Sequence, residues 1–279
     1  MIYLPKSLYI EGNDEFIRFV KQYQFKGEGT WDNPYIIEDL NIDPDTKTSC
    51  IAIENVDVWF VIRHCYFRNA IINQQPLGIY GLSAGIRLIN VKHAIIYNNY
   101  FVHNSYGILL YNSAYNTVYG NVFIGSLDVD VLVQCYSNSS SVVVHNVISN
   151  NTCIYNKGVG IDVWGWCVVH NRFVNNFICN TQHGIRTHST STNSIHYNII
   201  CNVEYHAMTF SDSRIWYITN NMCLGYIQSK QQVIRVVTTT GCKVNIYHHI
   251  SVTDADLWVN RRELSRRGIH QYYVYTGKM

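Results

Sequence analysis

Residues 107–123 read GILLYNSAYNTVYGNVF and hold two short apolar runs, GILLYN and TVYGNVF. Within each run the apolar residues alternate with period two and show no helical stripe, which is typical of short β-strands. Similar pairs of runs recur along the chain. Because an internal repeat governs the whole fold, the spacing of these runs decides the architecture.

The second run of the pair has six copies with Asn at the fifth position. These residues are Asn99, Asn121, Asn146, Asn171, Asn198 and Asn221. They span 122 residues in five intervals, a mean period of about 24 residues. In four copies the first run begins 14 residues before the Asn, at Gly85, Gly107, Gly184 and Ala207. Two alignments that agree in phase indicate a true repeat.

A repeat of this length that contains strands and no helix predicts one coil of a β-solenoid. Each coil stacks on the next at the strand spacing of about 4.8 Å and buries alternate side chains in a narrow core. Leucine-rich repeats share the period but need an LxxLxLxxN run, which is absent from this sequence. The predicted inward residues are Ile86, Leu88, Ile108, Leu110, Ile161, Val163, Ile185, Thr187, Met208, Phe210, Phe101, Phe123, Ile148, Phe173 and Ile200.

The solenoid explains an unusual composition. The chain has 279 residues, of which 47% are apolar and 14% are charged. All four prolines lie before residue 77, and a proline in a paired strand would remove a ladder hydrogen bond from its coil. Asn tolerates the left-handed backbone of tight corners, and its amide can bond the same amide in neighbouring coils. The 29 Asn residues therefore predict a corner ladder with one Asn per coil.

The low charge argues against two classes of partner. A net charge of +2 gives no electrostatic reason to bind nucleic acid or an acidic membrane, and no apolar run is long enough to span a bilayer. The start, MIYLPKSLYIEGNDEF, lacks the features of a secretory signal. The expected location is the cytoplasm, or a virion if the chain is a viral structural protein. Nine Cys without CxxC pairs favour reduced residues that fill the core.

The open ends of a solenoid need cover. Residues 13–25 predict a short N-terminal helix with Asn13 as its cap. The apolar face of this helix is Phe16, Ile17, Val20 and Tyr23. Residues 254–267 predict a second short helix, followed by a strand at 270–275. The chain therefore divides into an N-terminal cap at 1–28, a β-helix at 29–252 and a C-terminal cap at 253–279.

Two further stretches carry a family resemblance. The segments GTWDNPYIIEDLNID (29–43) and CIAIENVDVWFVIRHCYF (50–67), with the GIxLxN and IxxNxF coils, resemble right-handed parallel β-helix proteins of the NosD and pectate-lyase-like superfamily. The resemblance implies an all-β, right-handed parallel β-helix of about nine coils. It also implies a bias toward long polysaccharides or a structural fibre, without fixing the function. The DPHD run of the epimerases and the NTD, DD, GHG and RIK series of the polygalacturonases are absent.

The outward positions of the first run gather the candidate site residues on one face. Asp162 and Arg186 are one coil apart, within reach of an ion pair, and His188 follows on the same strand. The coil SLDVDVLVQC places either Asp130 or Leu132 in line with Asp162. The predicted catalytic residues are Asp162, Arg186, His188 and Asp130. The predicted substrate-binding residues are Tyr111, Trp164, Arg87 and Asp212.

Two kinds of chemistry fit that set. Two carboxylates on adjacent coils suit glycoside hydrolysis, in which one is the acid and the other the base or nucleophile, at separations of about 5 to 9.5 Å. An Arg or His over a uronate suits β-elimination instead. Tyr111 and Trp164 offer flat apolar faces for sugar rings. The plain alternative is that Asp162 and Arg186 form an ordinary cross-strand pair.

Histidines form a second candidate site. Four of them share the fourth position of the Asn run: His64, His145, His170 and His248. A metal site needs three or four converging ligands, and other residues interrupt this column. The sequence therefore predicts no metal site and no cofactor, and it leaves a divalent cation open.

The sequence predicts a polysaccharide-binding β-helix protein and leaves open whether it is also a polysaccharide lyase or a glycoside hydrolase. The alternative is a non-enzymatic structural or attachment protein, such as a viral fibre, tailspike or adhesin, for which a homotrimer is the typical assembly. A third alternative, a NosD-like metal accessory protein, follows from the resemblance alone. The expected partner is a glycan, with neither nucleic acid nor a membrane.

Overall fold

The chain is a right-handed parallel β-helix, as the repeat and the resemblance predict. Successive coils pair through parallel strands in three rows. A computed structural model describes residues 1–4, 6–44, 48–72, 82–135, 143–213 and 216–224, with the backbone of the strands Ile234–Val237, Val244–Val252 and Tyr272–Thr276.

Each complete coil contributes one strand to each of three sheets. The first sheet contains Leu8–Glu11, Ile51–Glu54, Ala84–Ile89, Tyr106–Tyr111, Val129–Gln134, Val159–Trp164, His183–His188, His206–Ser211 and Ile234–Val237. The second contains Tyr35–Glu38, Phe60–Arg63, Ala94–Tyr97, Thr117–Tyr119, Val147–Ser149, Arg172–Val174, Ser194–His196 and Trp216–Thr219. The third contains Ile2–Leu4, Leu40–Ile42, Tyr66–Arg68, Tyr100–Val102, Val122–Ile124, Thr152–Ile154, Phe177–Cys179, Ile199–Cys201 and Met222–Leu224.

Four further strands complete the described topology. Val244–Val252 pairs first with the second sheet and then with the third, so it joins the two. Tyr272–Thr276 pairs with Val244–Val252. It confirms the strand predicted at 270–275, shifted by one or two residues. A short pair, Val143–Val144 with Val168–Val169, precedes the second sheet.

Alternate side chains of the three sheets fill the core. All the predicted inward residues are buried, which confirms the inward assignment. In the first sheet Ile108 lies in register with Ile86 on one side and Val131 on the other. In the third sheet the ring of Phe101 stacks on those of Phe67 and Phe123, with centroids 5.1 and 4.7 Å apart. Burial of apolar surface along the whole axis therefore stabilises the coil stack.

Glycine is required where the chain enters the first sheet. A Cβ on Gly107 would lie 2.4 Å from the carbonyl oxygen of Asp130 and 2.4 Å from the ring of Phe123. Gly85 and Gly160 meet similar obstacles. The coil after Gly107 holds Asp130 at this position. An ionisable side chain therefore replaces glycine at a crowded inner corner.

Two Asn ladders run along the corners on either side of the second sheet, rather than the single ladder predicted. One contains Asn99, Asn121, Asn151, Asn176, Asn198 and Asn221, and the other contains Asn116, Asn146, Asn171 and Asn193. Each Nδ2 donates to the Oδ1 of the next Asn at 2.9–3.1 Å. The prediction that Asn146 and Asn171 continue the ladder of Asn121 is wrong.

Left-handed residues mark the exposed corners beside each ladder. Asn98 and Asn150 have φ values of 53°, and His145 and His170 have values of 55° and 56°. At one corner the rings of Tyr115, His145 and His170 stack in sequence, with centroids 5.3 and 5.9 Å apart. Stacking and left-handed backbone account for the recurrence of His at the fourth position.

A helix covers the N-terminal end, over Gly12–Gln22. Phe16, Phe19 and Val20 are its buried residues. The prediction that Asn13 caps this helix is wrong: the cap position is Glu11, and the Asn13 side chain bonds both the carboxylate and the backbone nitrogen of Asp57. The helix predicted at 254–267 lies outside the described residues. The division of the chain at residues 28 and 252 stays a prediction.

No helix within the described ranges has the length and apolar character needed to cross a bilayer.

Four cysteines form disulfides, so the prediction of reduced residues is wrong for them. Cys135 pairs with Cys167, and Cys179 pairs with Cys201. Each pair joins successive coils, and the Cα atoms are 6.0 and 4.6 Å apart. Four buried thiols agree with the prediction: Cys50, Cys65, Cys153 and Cys223. Cys242 lies outside the described residues. The sequence did not reveal these pairs, because the separation of the two cysteines in each pair is set by the length of a coil and matches no short disulfide motif.

Loss of the first disulfide should lower stability. In a variant with Cys135→Ala and Cys167→Ala, we expect the free energy of unfolding to fall by about 3 kcal/mol, because the bond closes a long loop in the unfolded chain. Urea unfolding without reductant measures the difference. With dithiothreitol the gap between the two proteins should close. Equal stability without reductant would show that this bond adds nothing.

Candidate functional site

The outer face of the first sheet carries the candidate site. Leu132, Asp162, Arg186 and Thr209 follow one another in register on four successive strands. This register excludes the alternative in which Asp130 lies beside Asp162. Asp130 is fully buried at the inner corner, so it is not part of the outer face.

Asp162 is the centre of this site, and its carboxylate accepts four hydrogen bonds. Arg186 donates from Nε at 3.2 Å and from Nη2 at 2.6 Å. The indole Nε1 of Trp164 donates at 2.8 Å, and the backbone nitrogen of Val163 at 3.1 Å. The Asp162 side chain is 3% exposed, whereas that of Arg186 is 28% exposed. The predicted ion pair is confirmed, and it occupies both carboxylate oxygens.

Asp162 also holds an aromatic platform, which Trp164 and His188 form beside the ion pair. Trp164 is 39% exposed, and its ring lies against that of His188 with centroids 4.2 Å apart. The pKa of His188 is lowered, mainly by burial, with Arg186 acting in the same direction and the carboxylates of Asp162 and Asp212 against it. The buried Nε2 of His188 has no hydrogen-bond partner among the described residues. The imidazole is therefore held neutral beside an ordered indole.

The next strand extends the site by one coil. His206, Thr209 and Ser211 lie in register with His183, Arg186 and His188. The ring of His183 stacks on that of Tyr205, with centroids 5.2 Å apart. Asp212, at the end of this strand, adopts a φ of 47°. Of the predicted substrate-binding residues, Trp164 and Asp212 therefore lie at the Asp162 centre.

The other two predicted substrate-binding residues lie elsewhere. Tyr111 is only 8% exposed and belongs to an apolar cluster on the outer face, so its prediction as a stacking platform is wrong. Ile72 and Leu82, which flank a stretch outside the described residues, pack against that cluster. Arg87 pairs with Glu54 at 3.2 Å, four strands away from Arg186. Neither residue reaches the Asp162 centre.

Burial governs the chemistry of Asp130. Its side chain has Ser126, Cys153 and Asn156 as polar neighbours, but no hydrogen bond of good geometry joins either carboxylate oxygen to a described residue. Burial raises the pKa of Asp130 to about 7. Burial and the charge of Asp130 together raise the pKa of Cys153. Asp130 therefore acts on the stability of the core and does not face a ligand.

A second hydrogen-bonded pair next to Asp162 was not predicted from the sequence. The hydroxyl of Tyr106 donates to Oδ2 of Asp128 at 2.5 Å. Burial, and next this hydrogen bond, raise the pKa of Tyr106. Asp128 also contributes to the raised pKa of Arg186, where the bonds and charge of Asp162 outweigh the opposite effect of burial. Tyr106 precedes the Gly of its run, and the repeat alignment did not include that position.

The balance of charge at the centre is negative. Arg186 offsets the charge of Asp162, His188 is neutral, and Asp128 and Asp212 add two carboxylates. An acidic ligand would meet repulsion there, whereas hydroxyl groups would find both donors and acceptors. The arrangement therefore suits a ligand with an apolar ring face and neutral polar edges.

Two depressions of the described surface lie at corners of the β-helix, away from Asp162. One of about 550 Å³ is lined by residues such as Asn156, Thr181 and Glu204. Another of about 660 Å³ is lined by residues such as Asn90 and Asn112. Neither depression includes the Asp162 centre, where the side chains of Trp164 and Arg186 are partly open to solvent.

The described residues do not form a metal centre. No three His, Cys, Asp or Glu side chains in the described ranges come together to hold an ion. His145 and His170 are adjacent, with centroids 5.9 Å apart, but the next ring in their column is Tyr115. His64 lies at another corner, against Tyr97, and the side chain of His248 is outside the described residues.

Solved structures similar to the chain are distant in sequence. A periplasmic alginate epimerase is 13% identical with a TM-score of 0.47, over 97% of this chain and 77% of that one. A lacto-N-biosidase from Eubacterium ramulus is 10% identical with a TM-score of 0.45, over 91% of this chain and 53% of that one. Tailspike protein 2 of bacteriophage CBA120 is 13% identical with a TM-score of 0.45, over 99% and 40%. No curated protein matches the chain significantly.

One protein family matches most of the sequence. The profile of the family described as periplasmic copper-binding protein (NosD) matches residues 41–260. This range includes every strand that carries the Asp162 centre. Since the match extends over more than half of the chain, and the GIxLxN coils resemble the same proteins, the chain belongs to the NosD family.

Proposed function

We propose that the protein binds an extended polysaccharide of uncharged sugars across the outer face of the first sheet. The observation that carries this proposal is the Trp164 indole, which is exposed and yet held in place by Asp162 and His188. A sugar ring can stack on such a surface without a cost for ordering the side chain. The hydroxyl groups of the sugar would bond the exposed part of Arg186 and the carboxylates of Asp128 and Asp212.

The proposal is recognition rather than cleavage. Hydrolysis by two carboxylates needs one free to give a proton and one free to accept one or to attack. The Asp162 carboxylate already accepts four hydrogen bonds, Asp130 faces the core, and Asp128 accepts the hydroxyl of Tyr106, so no two of these three carboxylates are both free. A β-elimination site would have to attract a uronate, which the negative balance of charge disfavours. Asp162 is accordingly a positioning residue for Trp164 and Arg186.

The description of the family names copper, and the described residues do not fit such a centre. Copper prefers several imidazole or sulfur ligands that converge on one point. The His145 and His170 pair supplies two imidazoles, and its neighbour in the stack is a phenol. The proposal therefore contains no metal step.

Removal of the platform should weaken binding. We expect Trp164→Ala to lower the affinity for a neutral polysaccharide by about tenfold, because the stacked surface is lost. An array of neutral and acidic oligosaccharides identifies the ligand, and titration calorimetry on the strongest neutral hit measures the change. Trp31→Ala is the matched control, since Trp31 is 76% exposed and lies in the N-terminal segment, and it should leave the affinity unchanged.

Two results would contradict the proposal. One is an array on which no neutral glycan binds. The other is a bound glycan that the Trp164→Ala variant holds as tightly as the unmodified protein. Preference for acidic glycans would overturn the reasoning from charge.

A further inference from the structure

The outward side of the third sheet is an unusually apolar surface for a chain with so little charge. The last seven of its nine strands point their first and third residues outward. These residues, here called the apolar face, are Tyr66, Arg68, Tyr100, Val102, Val122, Ile124, Thr152, Ile154, Phe177, Cys179, Ile199, Cys201, Met222 and Leu224. Twelve of the fourteen are apolar or cysteine.

Large apolar side chains on this surface are open to solvent. Tyr66 and Tyr100 are 39% and 41% exposed, and their rings stack with centroids 4.9 Å apart. Phe177 and Ile199, in register on neighbouring strands, are 39% and 38% exposed. Scattered single apolar residues are normal on a protein surface, but a continuous strip across seven coils marks an interaction surface.

The apolar face has the composition of the centre of an interface, and its borders have that of a rim. Its one charged side chain, Arg68, pairs with Asp43 at 3.2 Å. Exposed corner residues, mostly neutral amides, flank it on both sides: Asn98, Asn150, Asn175 and Asn220, with Asn69, His103, Asn180 and Asn202. An apolar centre with almost no charge and a polar rim are the usual anatomy of a protein–protein contact.

The size of the strip also fits. Seven strands about 4.8 Å apart make it roughly 30 Å long, and three strand residues with one rim residue on each side make it roughly 16 Å wide. The area is therefore about 500 Å² on each partner, or about 1,000 Å² for two copies, which is the lower end of specific interfaces.

We propose that a second copy of this chain packs against the apolar face. Because the strip is nearly free of charge, two copies meet there without like-charge repulsion, and a partner selected by opposite charge would find almost nothing to pair with. A copy brings a flat strip of the same length and spacing. The glycan-binding face belongs to the first sheet, so this contact does not depend on the function proposed above.

The mass of the protein in solution tests this contact. We expect light scattering and sedimentation equilibrium to give at least twice the 32.3 kDa mass of one chain at concentrations of up to about 100 μM. The variant Phe177→Lys with Ile199→Lys places charge at the centre of the strip, and it should raise the dissociation constant about 100-fold. Tyr217→Lys is the control: it adds one lysine, as Tyr100→Lys does below, at a 50% exposed residue of the second sheet, and it should leave the assembly intact.

A second variant separates loss of the contact from a folding defect. Tyr100→Lys alters another exposed position of the strip, three strands from Phe177, and should also weaken the assembly. Circular dichroism must first show the unmodified β-helix spectrum for each variant. A single-chain mass across the whole concentration range would overturn the proposal. So would an assembly that persists in both folded variants.

Discussion

Replacement of Asp130 by Asn should raise the free energy of unfolding at pH 8 by about 4 kcal/mol and leave it almost unchanged at pH 4. The side chain is fully buried beside Cys153, and burial raises its pKa to about 7. In the unfolded chain the pKa of an Asp is about 3.9. Ionisation is therefore much less favourable in the folded protein. An Asn of the same shape carries no charge and avoids this cost.

The sign follows from the protons bound by each state. Between about pH 4 and pH 7 the folded protein keeps the proton on Asp130 and the unfolded chain has lost it. Since the folded state binds more protons, its stability falls as the pH rises through this range. Above pH 7 both states have lost the proton and the effect is constant. The Asn variant should lack this component of the pH dependence.

Urea unfolding at intervals from pH 4 to pH 8 measures both curves. Asp128→Asn is the matched control, because Asp128 lies two residues away and is exposed. It should keep the loss of stability between pH 4 and pH 7 that the unmodified protein shows. If Asp130→Asn keeps that loss as well, the buried carboxylate is not its source.

Replacement of Asn146 by Ala should cost about 4 kcal/mol of stability. Its Nδ2 donates to the carbonyl oxygen of Ser113 at 2.9 Å and to Oδ1 of Asn171 at 3.0 Å. Its Oδ1 accepts from the backbone nitrogen and Nδ2 of Asn116 at 3.0 and 3.1 Å. The site is fully buried, so Ala leaves several polar groups without partners, and each costs about 1–3 kcal/mol.

Asn150→Gly is the control for the ladder prediction. Asn150 is exposed at a left-handed corner with a φ of 53°, a conformation that Gly adopts freely. Its replacement should change the free energy of unfolding by less than about 1 kcal/mol. Urea unfolding of both variants gives the comparison. A loss below about 1 kcal/mol for Asn146→Ala would mean that the ladder does not hold the coils together.

The sequence was sufficient for the architecture but not for the exact stacking of its corners. Each of four coils has two buried Asn five residues apart, as in Asn116 and Asn121 or Asn146 and Asn151. An alignment that passes from Asn121 to Asn146, and later from Asn171 to Asn198, changes ladder twice. The number of coils and the mean period stay the same, so the period alone does not reveal the exchange. Only the bonds between coils separate the two ladders.

The candidate site was predictable where it depends on register alone. Asp162 and Arg186 occupy the same position in successive coils, and Trp164 and His188 occupy the next outward position, so their contacts follow from strand alternation. Tyr111 occupies the same stripe but is buried in the outer cluster against which Ile72 and Leu82 pack. The repeat carries no information on what packs over a face, because such segments lie outside the repeating unit.

The register of the central coils defines a segment of the gene whose duplication or deletion would keep the strands paired. Ala84, Ile95 and Tyr100 each lie directly against the residue 22 positions later, in all three sheets. Gain or loss of 66 nucleotides at this point would add or remove one whole rung and leave the contacts above and below it matched. Each such event changes the length of the molecule by about 4.8 Å. The length of the outer face of the first sheet can thus change in discrete steps while the core keeps the same packing.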